Sequence, residues 1–329
     1  MVWLLFLVSS VVVVLAATKL AEYADIIAVR TKLGGLVVGT IFLAGATSLP
    51  ELIASISSFS AGVPNLAAGN FFGSNMTNIA LLAFVDLFNR QAPLLRSVAV
   101  SHSLTAALAT LLMLVAVLSL VAGPTPVIGW VGLDSLLIIA LYFIGIWVMQ
   151  RETQTDGATS AVMEPGEGFP TLRRGVIGFV LAAAVLMATV PQLVRASTSI
   201  AEITGLGTGF VGTALLSFVT SLPELVAVIA AVRLGSFDLA VGNLLGSNVF
   251  NMLGLAVADF FLLDGAFLNV IDPGFILVGL LGILLTNMAL IGNLARVERK
   301  FLFFELDSLA ILVVYVLGLL LLYQRGIGV

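Results

Sequence analysis

Two glutamates lie inside otherwise apolar stretches of this sequence, and both occur in the same hexapeptide. Thr-Ser-Leu-Pro-Glu-Leu is found at 47–52, where it contains Glu51, and again at 220–225, where it contains Glu224. The proline of each hexapeptide has no amide to pair with the helix carbonyl four residues earlier, so backbone oxygens near the threonine are left free. Because the threonine, serine and glutamate are three and four residues apart, their side chains share one helical face. Each hexapeptide therefore predicts a cluster of oxygen ligands.

A second motif, also present twice, adds neutral oxygens. Gly-Asn-x-x-Gly-Ser-Asn-x-x-Asn spans 69–78 and 242–251. Its small residues allow helices to approach closely, and its serines and asparagines can hydrogen-bond across a helix pair. The oxygens in question belong to Ser74, Asn78, Ser247 and Asn251. Carboxylate, hydroxyl, amide and carbonyl oxygens without nitrogen or sulfur ligands suit a hard cation such as Ca²⁺, which takes six to eight oxygens.

The composition places these motifs in a membrane protein. Hydrophobic residues make up 60% of the 329 residues and charged residues only 10%, whereas soluble proteins carry about 25%. The absence of cysteine and the single histidine exclude disulfides, thiolate metal sites and a histidine-rich metal centre. Stretches long enough to span a bilayer lie at 3–22, 35–59, 66–88, 98–121, 127–149, 175–198, 207–232, 238–262, 271–295 and 307–323. We interpret the first stretch as a true helix because it lacks the positively charged start of a signal peptide.

An internal repeat determines the predicted architecture. Residues 38–88 match 211–261 without a gap at a constant offset of 173 residues, and about half of the aligned positions are identical. Five spans separate equivalent positions, and an odd number requires the two copies to cross the membrane in opposite directions. We therefore expect an all-α polytopic protein of ten transmembrane helices. It consists of a five-helix repeat at 1–149, a linker at 150–174 and an inverted five-helix repeat at 175–329, with broken helices at the ion site.

The basic residues predict the orientation. If the N-terminus is outside, twelve of the fourteen Lys and Arg residues fall near cytosolic span ends, and only Arg195 and Arg325 fall outside. The cytosolic ones are Lys19, Arg30, Lys32, Arg90, Arg96, Arg151, Arg173, Arg174, Arg233, Arg296, Arg299 and Lys300. We expect a cell-membrane protein with both termini extracellular and the linker in the cytosol. The expected partner is the lipid bilayer. The net charge of −4 is spread over loops and provides no basic surface for nucleic acid, so nucleic-acid binding is not expected. No protein partner is evident from the sequence.

The paired motifs resemble the two alpha-repeats of the cation/calcium antiporter superfamily, in particular those of the prokaryotic sodium/calcium exchangers. The resemblance extends over the full ten-span plan. It implies a secondary antiporter that exchanges Ca²⁺ for Na⁺ by alternating access, without a cofactor and without enzymatic activity. If three Na⁺ enter for each Ca²⁺, as the resemblance implies, each cycle is electrogenic.

The resemblance also implies a set of ligands. Glu51 and Glu224 would be central ligands, together with the backbone carbonyls of Thr47 and Thr220. The other implied ligands are Ser48, Ser74, Ser221 and Ser247 for flanking sodium sites, Asn78 and Asn251 for a middle site, and the equivalent positions Ala44 and Ser217. Some family members carry Asp where this chain has Asn251, so the site here would hold two carboxylates and potassium cotransport is not expected.

Several alternatives remain open on the sequence alone. The same glutamates could exchange Ca²⁺ or another cation for protons, and the hydroxyls beside them favour sodium. A cation channel usually requires an open path in a symmetric oligomer, and an intramembrane enzyme would lack a group to activate water.

Serines and asparagines beside glycines also serve as packing contacts, and for Asn70 and Asn243 a cap or interhelical hydrogen bond is favoured over ion contact. For acidic residues near span ends, such as Asp86 and Asp259, the position favours a solvated side chain or a cap of backbone amides over an ion ligand.

Overall fold

The structure is a computed structural model. It describes residues 1–31, 43–89, 94, 101–155, 169–295, 300–301 and 304–328. Outside these ranges lie several features that the sequence singled out: Gly39-Thr40 at the start of the first repeat, the basic residues Lys32, Arg90, Arg96, Arg296 and Arg299, and residues 156–168 of the linker.

Helices dominate both halves of the chain. The first half contains α1 (Val2–Thr31), a helical segment at 43–47, α2 (Leu49–Ser60), α3 (Pro64–Phe88), α4 (Ser101–Ala122), the short strands β1 (Val127–Ile128) and β2 (Val131–Gly132), and α5 (Leu133–Thr155). The second half contains α6 (Leu172–Thr204), α7 (Thr208–Val211), a π-helical turn (Gly212–Leu216), α8 (Ser217–Thr220), α9 (Leu222–Arg233), α10 (Phe237–Ala258), a 3₁₀ turn (Asp259–Phe261), α11 (Phe267–Val270), α12 (Phe275–Ala295), β3 (Lys300–Phe301), β4 (Phe304–Glu305) and α13 (Leu306–Arg325).

Nine helical segments of the described chain are long and apolar enough to cross a membrane. Each overlaps one of the spans predicted from the sequence. The remaining predicted span, 35–59, begins outside the described residues, and its described part is helical at 43–47 and in α2. The prediction of an all-α membrane protein is therefore confirmed, with two small hairpins as the only described strands. The hairpin β1–β2, paired antiparallel, occupies the start of the predicted span 127–149, so α5 begins later than expected.

The internal repeat is visible in where the elements begin. α2 and α9 begin at Leu49 and Leu222, and α5 and α13 begin at Leu133 and Leu306, so both pairs are separated by the offset of the sequence repeat. The hairpins β1–β2 and β3–β4 are related in the same way. Equivalent sequences thus form equivalent elements over most of the described chain.

The central helices are α3 and α10, which cross each other and carry the Gly-Asn-x-x-Gly-Ser-Asn motifs. Buried residues make up 83% of the most apolar window of α3 and 72% of that of α10, compared with 22–50% in the other seven spans. Their polar residues are consequently sheltered from lipid by the surrounding helices, as membrane-depth polar groups require. α1 and α6 pack against each other, and they form a separate apolar cluster with Leu66 and with residues of α7, the π-helical turn and α8.

Two buried aspartates join the halves at the ends of the central helices. Asp86 of α3 accepts hydrogen bonds from the amide of Leu94 and from the hydroxyl of Ser308 on α13. Asp259, its repeat equivalent after α10, accepts from the amides of Gly132 at 2.8 Å and Phe267 at 2.6 Å. Both side chains are at most 3% exposed. Of the two roles expected for them, capping of backbone amides is confirmed and solvation is not.

Candidate functional site

Each glutamate follows a break in its helix. The serine two residues before the proline interrupts the helix at Ser48 (φ −88°, ψ 7°) and at Ser221 (φ −87°, ψ 1°). The nearly identical angles show that the same local sequence produces the same bend in both repeats. The proline stands in the first turn of the helix that follows, a position where its missing amide costs no hydrogen bond.

The two glutamates are fully buried and are contacted by serines of the opposite repeat. The Ser48 hydroxyl donates to Oε1 of Glu224 at 3.2 Å, and the Ser221 hydroxyl donates to Oε1 of Glu51 at 3.4 Å. Both glutamates are 0% exposed. Neither forms a salt bridge with a described residue. The reciprocal contacts place the two hexapeptides, 173 residues apart in the sequence, beside each other at one site.

Several buried oxygens of this site have no hydrogen-bond partner among the described residues. They are Oε2 of Glu51, Oε2 of Glu224, Oγ of Ser74, Oδ1 of Asn78 and Oδ1 of Asn251. Buried polar atoms in proteins are normally paired, so a group of unpaired oxygens indicates a site that is completed by something other than the protein. A cation supplies the positive charge that two buried carboxylates lack.

The threonines of the two hexapeptides have different partners. Thr220 Oγ1 donates to Oδ1 of Asn70 at 3.0 Å, and the Asn70 amide donates to the Glu51 carbonyl at 3.0 Å. Thr47 Oγ1 instead lies 3.3 Å from Oγ of Ser247, which donates to Oε1 of Glu224 at 3.4 Å. Asn70 therefore makes an interhelical hydrogen bond, one of the two roles that the sequence favoured for it.

The side chain of Asn243 behaves differently from that of Asn70, its repeat equivalent. Asn243 is 2% exposed, and neither its amide nitrogen nor its oxygen has a partner in the described part of the chain. For Asn243, the described part of the chain provides neither the cap nor the interhelical hydrogen bond that the sequence favoured.

The positions of Ala44 and Ser217 also differ between the repeats. The carbonyl of Ala44 accepts from the Thr47 hydroxyl at 3.1 Å, and the carbonyl of Ser217 accepts from the Thr220 hydroxyl at 3.2 Å. Ser217 adds a hydroxyl that Ala44 lacks. That hydroxyl lies 3.3 Å from Oγ1 of Thr77, which in turn lies 3.2 Å from the Tyr315 hydroxyl.

Glycines bring α3 close to the π-helical turn that precedes α8. A Cβ atom at Gly69 would lie 2.5 Å from the carbonyl oxygen of Gly209, and one at Gly73 would lie 2.6 Å from both Cα and the carbonyl oxygen of Thr213. These are backbone atoms, which cannot move aside as a flexible side chain can. The glycines of the repeated motif thus set the distance between α3 and the broken helix of the second repeat.

The described hydrogen bonds join the predicted site residues in separate groups. Glu51 is bonded to Ser221, and Glu224 is bonded to Ser48 and to Ser247, which in turn contacts Thr47. Among the described residues, no side-chain hydrogen bond joins Ser74, Asn78 or Asn251 to either glutamate. Sequence reasoning did not assign roles to Asn75, Asn248 and Thr77, which are hydrogen-bonded to predicted site residues, or to Tyr315, whose hydroxyl contacts Thr77. Asn75 and Asn248 were visible as the asparagines of the two Gly-Ser-Asn motifs, whereas Thr77 has no identical residue in the second repeat.

Comparison with known proteins gives a consistent result. The family model described as sodium/calcium exchanger protein matches residues 1–150 and 174–324. The putative antiporter CaxA of Alkalimonas amylolytica is 27% identical over 304 residues, which cover 89% of this chain and 91% of CaxA.

Among solved structures, the H⁺/Ca²⁺ exchanger CAX matches with a TM-score of 0.74 and 18% identity over 97% of this chain and 82% of CAX. The sodium-calcium exchanger NCX_Mj matches with a TM-score of 0.61 and 19% identity over 96% of each chain. At these identities, the likeness to the two solved structures establishes the fold.

Proposed function

Because this chain belongs to the sodium/calcium exchanger protein family, a family of membrane cation antiporters, we propose that it exchanges Ca²⁺ for Na⁺ by alternating access. One observation carries the proposal. Two fully buried glutamates, each contacted by a serine of the other repeat, have carboxylate oxygens without a hydrogen-bond partner in the described structure. Two such carboxylates neutralise one divalent cation, which removes most of the cost of their burial in a membrane.

The calcium ligands in this proposal are oxygen atoms of both repeats. The carboxylates of Glu51 and Glu224 bind Ca²⁺ together with the backbone carbonyls of Thr47 and Thr220. Two bidentate carboxylates and two carbonyls already supply about six oxygens, the lower limit of the usual calcium shell. The unpaired Oδ1 atoms of Asn78 and Asn251 complete the middle of the site.

The sodium sites in this proposal flank the glutamates and use neutral oxygens. Their ligands are the hydroxyls of Ser48, Ser74, Ser221 and Ser247 and the oxygens at Ala44 and Ser217. Support comes from the position of the serines: three of the four donate to a glutamate Oε1, and Ser74 is buried with a free hydroxyl oxygen. A sodium ion at such a position would be neutralised by the same glutamate carboxylate that binds Ca²⁺. Sodium and calcium would therefore compete for the negative charge of that carboxylate.

Proton exchange is the second candidate. Glu51 and Glu224 have no described cationic partner, and two protons would neutralise the empty pair as well as a cation does. A Ca²⁺/H⁺ antiporter would then return through the membrane with both glutamates protonated. The two candidates use the same glutamates and differ in whether the neighbouring hydroxyls bind sodium.

Alternating access is supported by the cost of moving an empty site. Two uncompensated carboxylates are far more expensive at membrane depth than the same pair neutralised by cations. The carrier should therefore exchange ions and should not leak. In the proposed arrangement, the inverted repeats at 1–149 and 175–329 expose the shared site to either side in turn.

The test is calcium release from sealed proteoliposomes loaded with ⁴⁵Ca²⁺ and diluted into sodium, potassium, neutral choline or acidic choline medium. We expect rapid release into sodium medium only, and none from vesicles without protein. Release into acidic choline as fast as into sodium would establish the proton-coupled alternative. Fast release into neutral choline would identify a channel and refute antiport.

We also propose that the protein lies in the cell membrane with both termini outside and the 150–174 linker in the cytosol, since this orientation explains the distribution of basic residues. The chain has no cysteine, so a single introduced thiol can report its own side. In intact cells, an impermeant thiol reagent should label Asp264→Cys, in the predicted extracellular loop, and should not label Thr155→Cys at the end of α5. The opposite pattern would reverse the orientation.

A further inference from the structure

Four asparagines meet where α3 crosses α10, and all are buried. Asn75 and Asn78 come from α3, and Asn248 and Asn251 come from α10; each is at most 1% exposed. An amide side chain has a donor end and an acceptor end, and only the oxygen end can bind a cation. The orientation of Asn78 and Asn251 therefore decides whether either can act as the ligand proposed above.

The orientation of Asn78 is set by a chain of hydrogen bonds that ends on the backbone. The Asn248 amide donates to the backbone carbonyl of Asn75 at 3.2 Å, and a carbonyl accepts only from the nitrogen end of an amide. Asn248 must then present its oxygen on the other side, where it accepts from the Asn78 amide at 3.0 Å. With its nitrogen held in this way, Asn78 keeps Oδ1 free of partners among the described residues.

Asn251 is held by a related contact. Its amide donates to Oδ1 of Asn75 at 3.1 Å, which leaves its own Oδ1 without a partner among the described residues. In each case a motif asparagine of the opposite repeat accepts the N–H of the candidate ligand. Asn251 follows Ser247 by one helical turn, and Ser247 contacts Glu224, so Asn251 lies on the helix face that carries the site.

We propose that Asn75 and Asn248 are positioning residues that fix the amides of Asn251 and Asn78 with their oxygens toward the transported cation. The inference rests on the proposed function, because it concerns how two ligands of that site are oriented. Without Asn248, the Asn78 amide can rotate and direct its N–H groups at the cation, which opposes cation binding. Neither Asn75 nor Asn248 touches the cation in this account.

A double-mutant cycle between Asn248 and Asn78 tests the proposal. An aspartate at position 78 presents an oxygen in either orientation, so it no longer needs to be positioned. We expect Asn248→Ala to weaken calcium affinity about tenfold in the wild-type background, as loss of a residue that orients a ligand commonly does. In the Asn78→Asp background, Asn248→Ala should not weaken calcium affinity, because the aspartate needs no positioning and the Asn248 oxygen that would face it is removed.

Calcium affinity is measured by equilibrium ⁴⁵Ca²⁺ binding to the full-length protein in detergent, and size-exclusion chromatography checks that each variant folds. Asn243→Ala serves as the matched control, because it removes another buried asparagine of α10, one without a described hydrogen bond. Calcium affinity should be unchanged in this variant.

Equal weakening in both backgrounds, or no effect of Asn248→Ala in the wild type, would overturn the positioning role. These outcomes differ from failure of the proposed function, in which calcium binding would be absent from the wild type or unaffected by Glu51→Gln.

Discussion

The surroundings of the two glutamates differ although the repeated motifs around them are nearly the same. Around Glu51, Asn70 joins the glutamate backbone to Thr220, while Ser74 has no described partner. Around Glu224 the pattern is reversed. There Ser247 joins the glutamate to Thr47, while Asn243 has no partner among described residues.

The threonines, asparagines and serines of these two arrangements are of identical types, so the repeated motifs themselves do not account for the difference. Each threonine has an asparagine and a serine, one helical turn apart on the opposite repeat, as potential partners. Thr220 pairs with the asparagine and Thr47 pairs with the serine. The lesson is that a repeated motif determines the set of available partners but not the choice among them.

A second difference between the surroundings of the two glutamates comes from different residue types at equivalent positions of the repeats. Ser217, Thr77 and Tyr315 form a hydroxyl cluster beside the second hexapeptide. The equivalents of Ser217 and Thr77 are Ala44 and Phe250, which cannot form such a cluster. Phe250 instead lies against Gly45, where an added Cβ would be 2.9 Å from its ring. This difference comes from the residue types, whereas the two threonines have different partners although the motif residues are the same.

The largest effect should come from the buried glutamate, which both halves of the chain contain. Glu51→Gln and Glu224→Gln should each reduce calcium transport by more than about 100-fold, because a unit charge about 4 Å from a cation contributes several kcal/mol even at an effective dielectric of 20. Glu202→Gln, at an exposed position of α6, controls for the substitution itself. Transport near the wild-type rate in either variant would show that the halves do not share a site.

A smaller effect should separate the two asparagines. Asn70→Ala removes hydrogen bonds to the Glu51 carbonyl, to Ser55 and to Thr220, each worth about 0.6 kcal/mol in a membrane protein, so the midpoint of thermal unfolding in detergent should fall by a few degrees. Asn243→Ala removes no described hydrogen bond and should leave the midpoint unchanged. An equal decrease in both variants would mean that the halves do not differ in this way.

The smallest effect should come from the hydroxyl cluster. Tyr315→Phe removes the hydroxyl beside Thr77, and we expect the apparent sodium affinity for calcium release to fall about threefold, which corresponds to one interhelical hydrogen bond of about 0.6 kcal/mol. The matched control is Tyr142→Phe at the equivalent position of the first repeat, where no hydroxyl contact is described. A similar change in both variants would assign the effect to tyrosine packing.

The sequence predicted the parts of this molecule that depend on long patterns. The nine described spans follow from long apolar stretches, and the equivalence of the elements in the two halves follows from the constant offset of the repeat. The helix breaks follow from the Pro-Glu dipeptides, which act on the chain next to them. The hairpins before α5 and α13 were missed because two-residue strands leave no periodicity to detect. The number of spans and the inverted orientation of the repeats remain predictions.

The site was harder to predict than the fold because its contacts join distant residues. The glutamates and serines were found from their motifs, since they stand beside a proline or between glycines. The link from Asn248 through Asn78, and the link from Thr77 to Tyr315, depend on how helices from different repeats cross. No spacing within one helix encodes such contacts, so the structure was needed to find them.

The central claim is that the two halves form one shared calcium site, and calcium stoichiometry tests it most directly. Equilibrium ⁴⁵Ca²⁺ binding to the purified protein should show one Ca²⁺ bound per chain, displaced by Na⁺, and lost in both Glu51→Gln and Glu224→Gln. Two Ca²⁺ per chain, with one retained in each variant, would contradict the account, because each glutamate would then belong to a separate site.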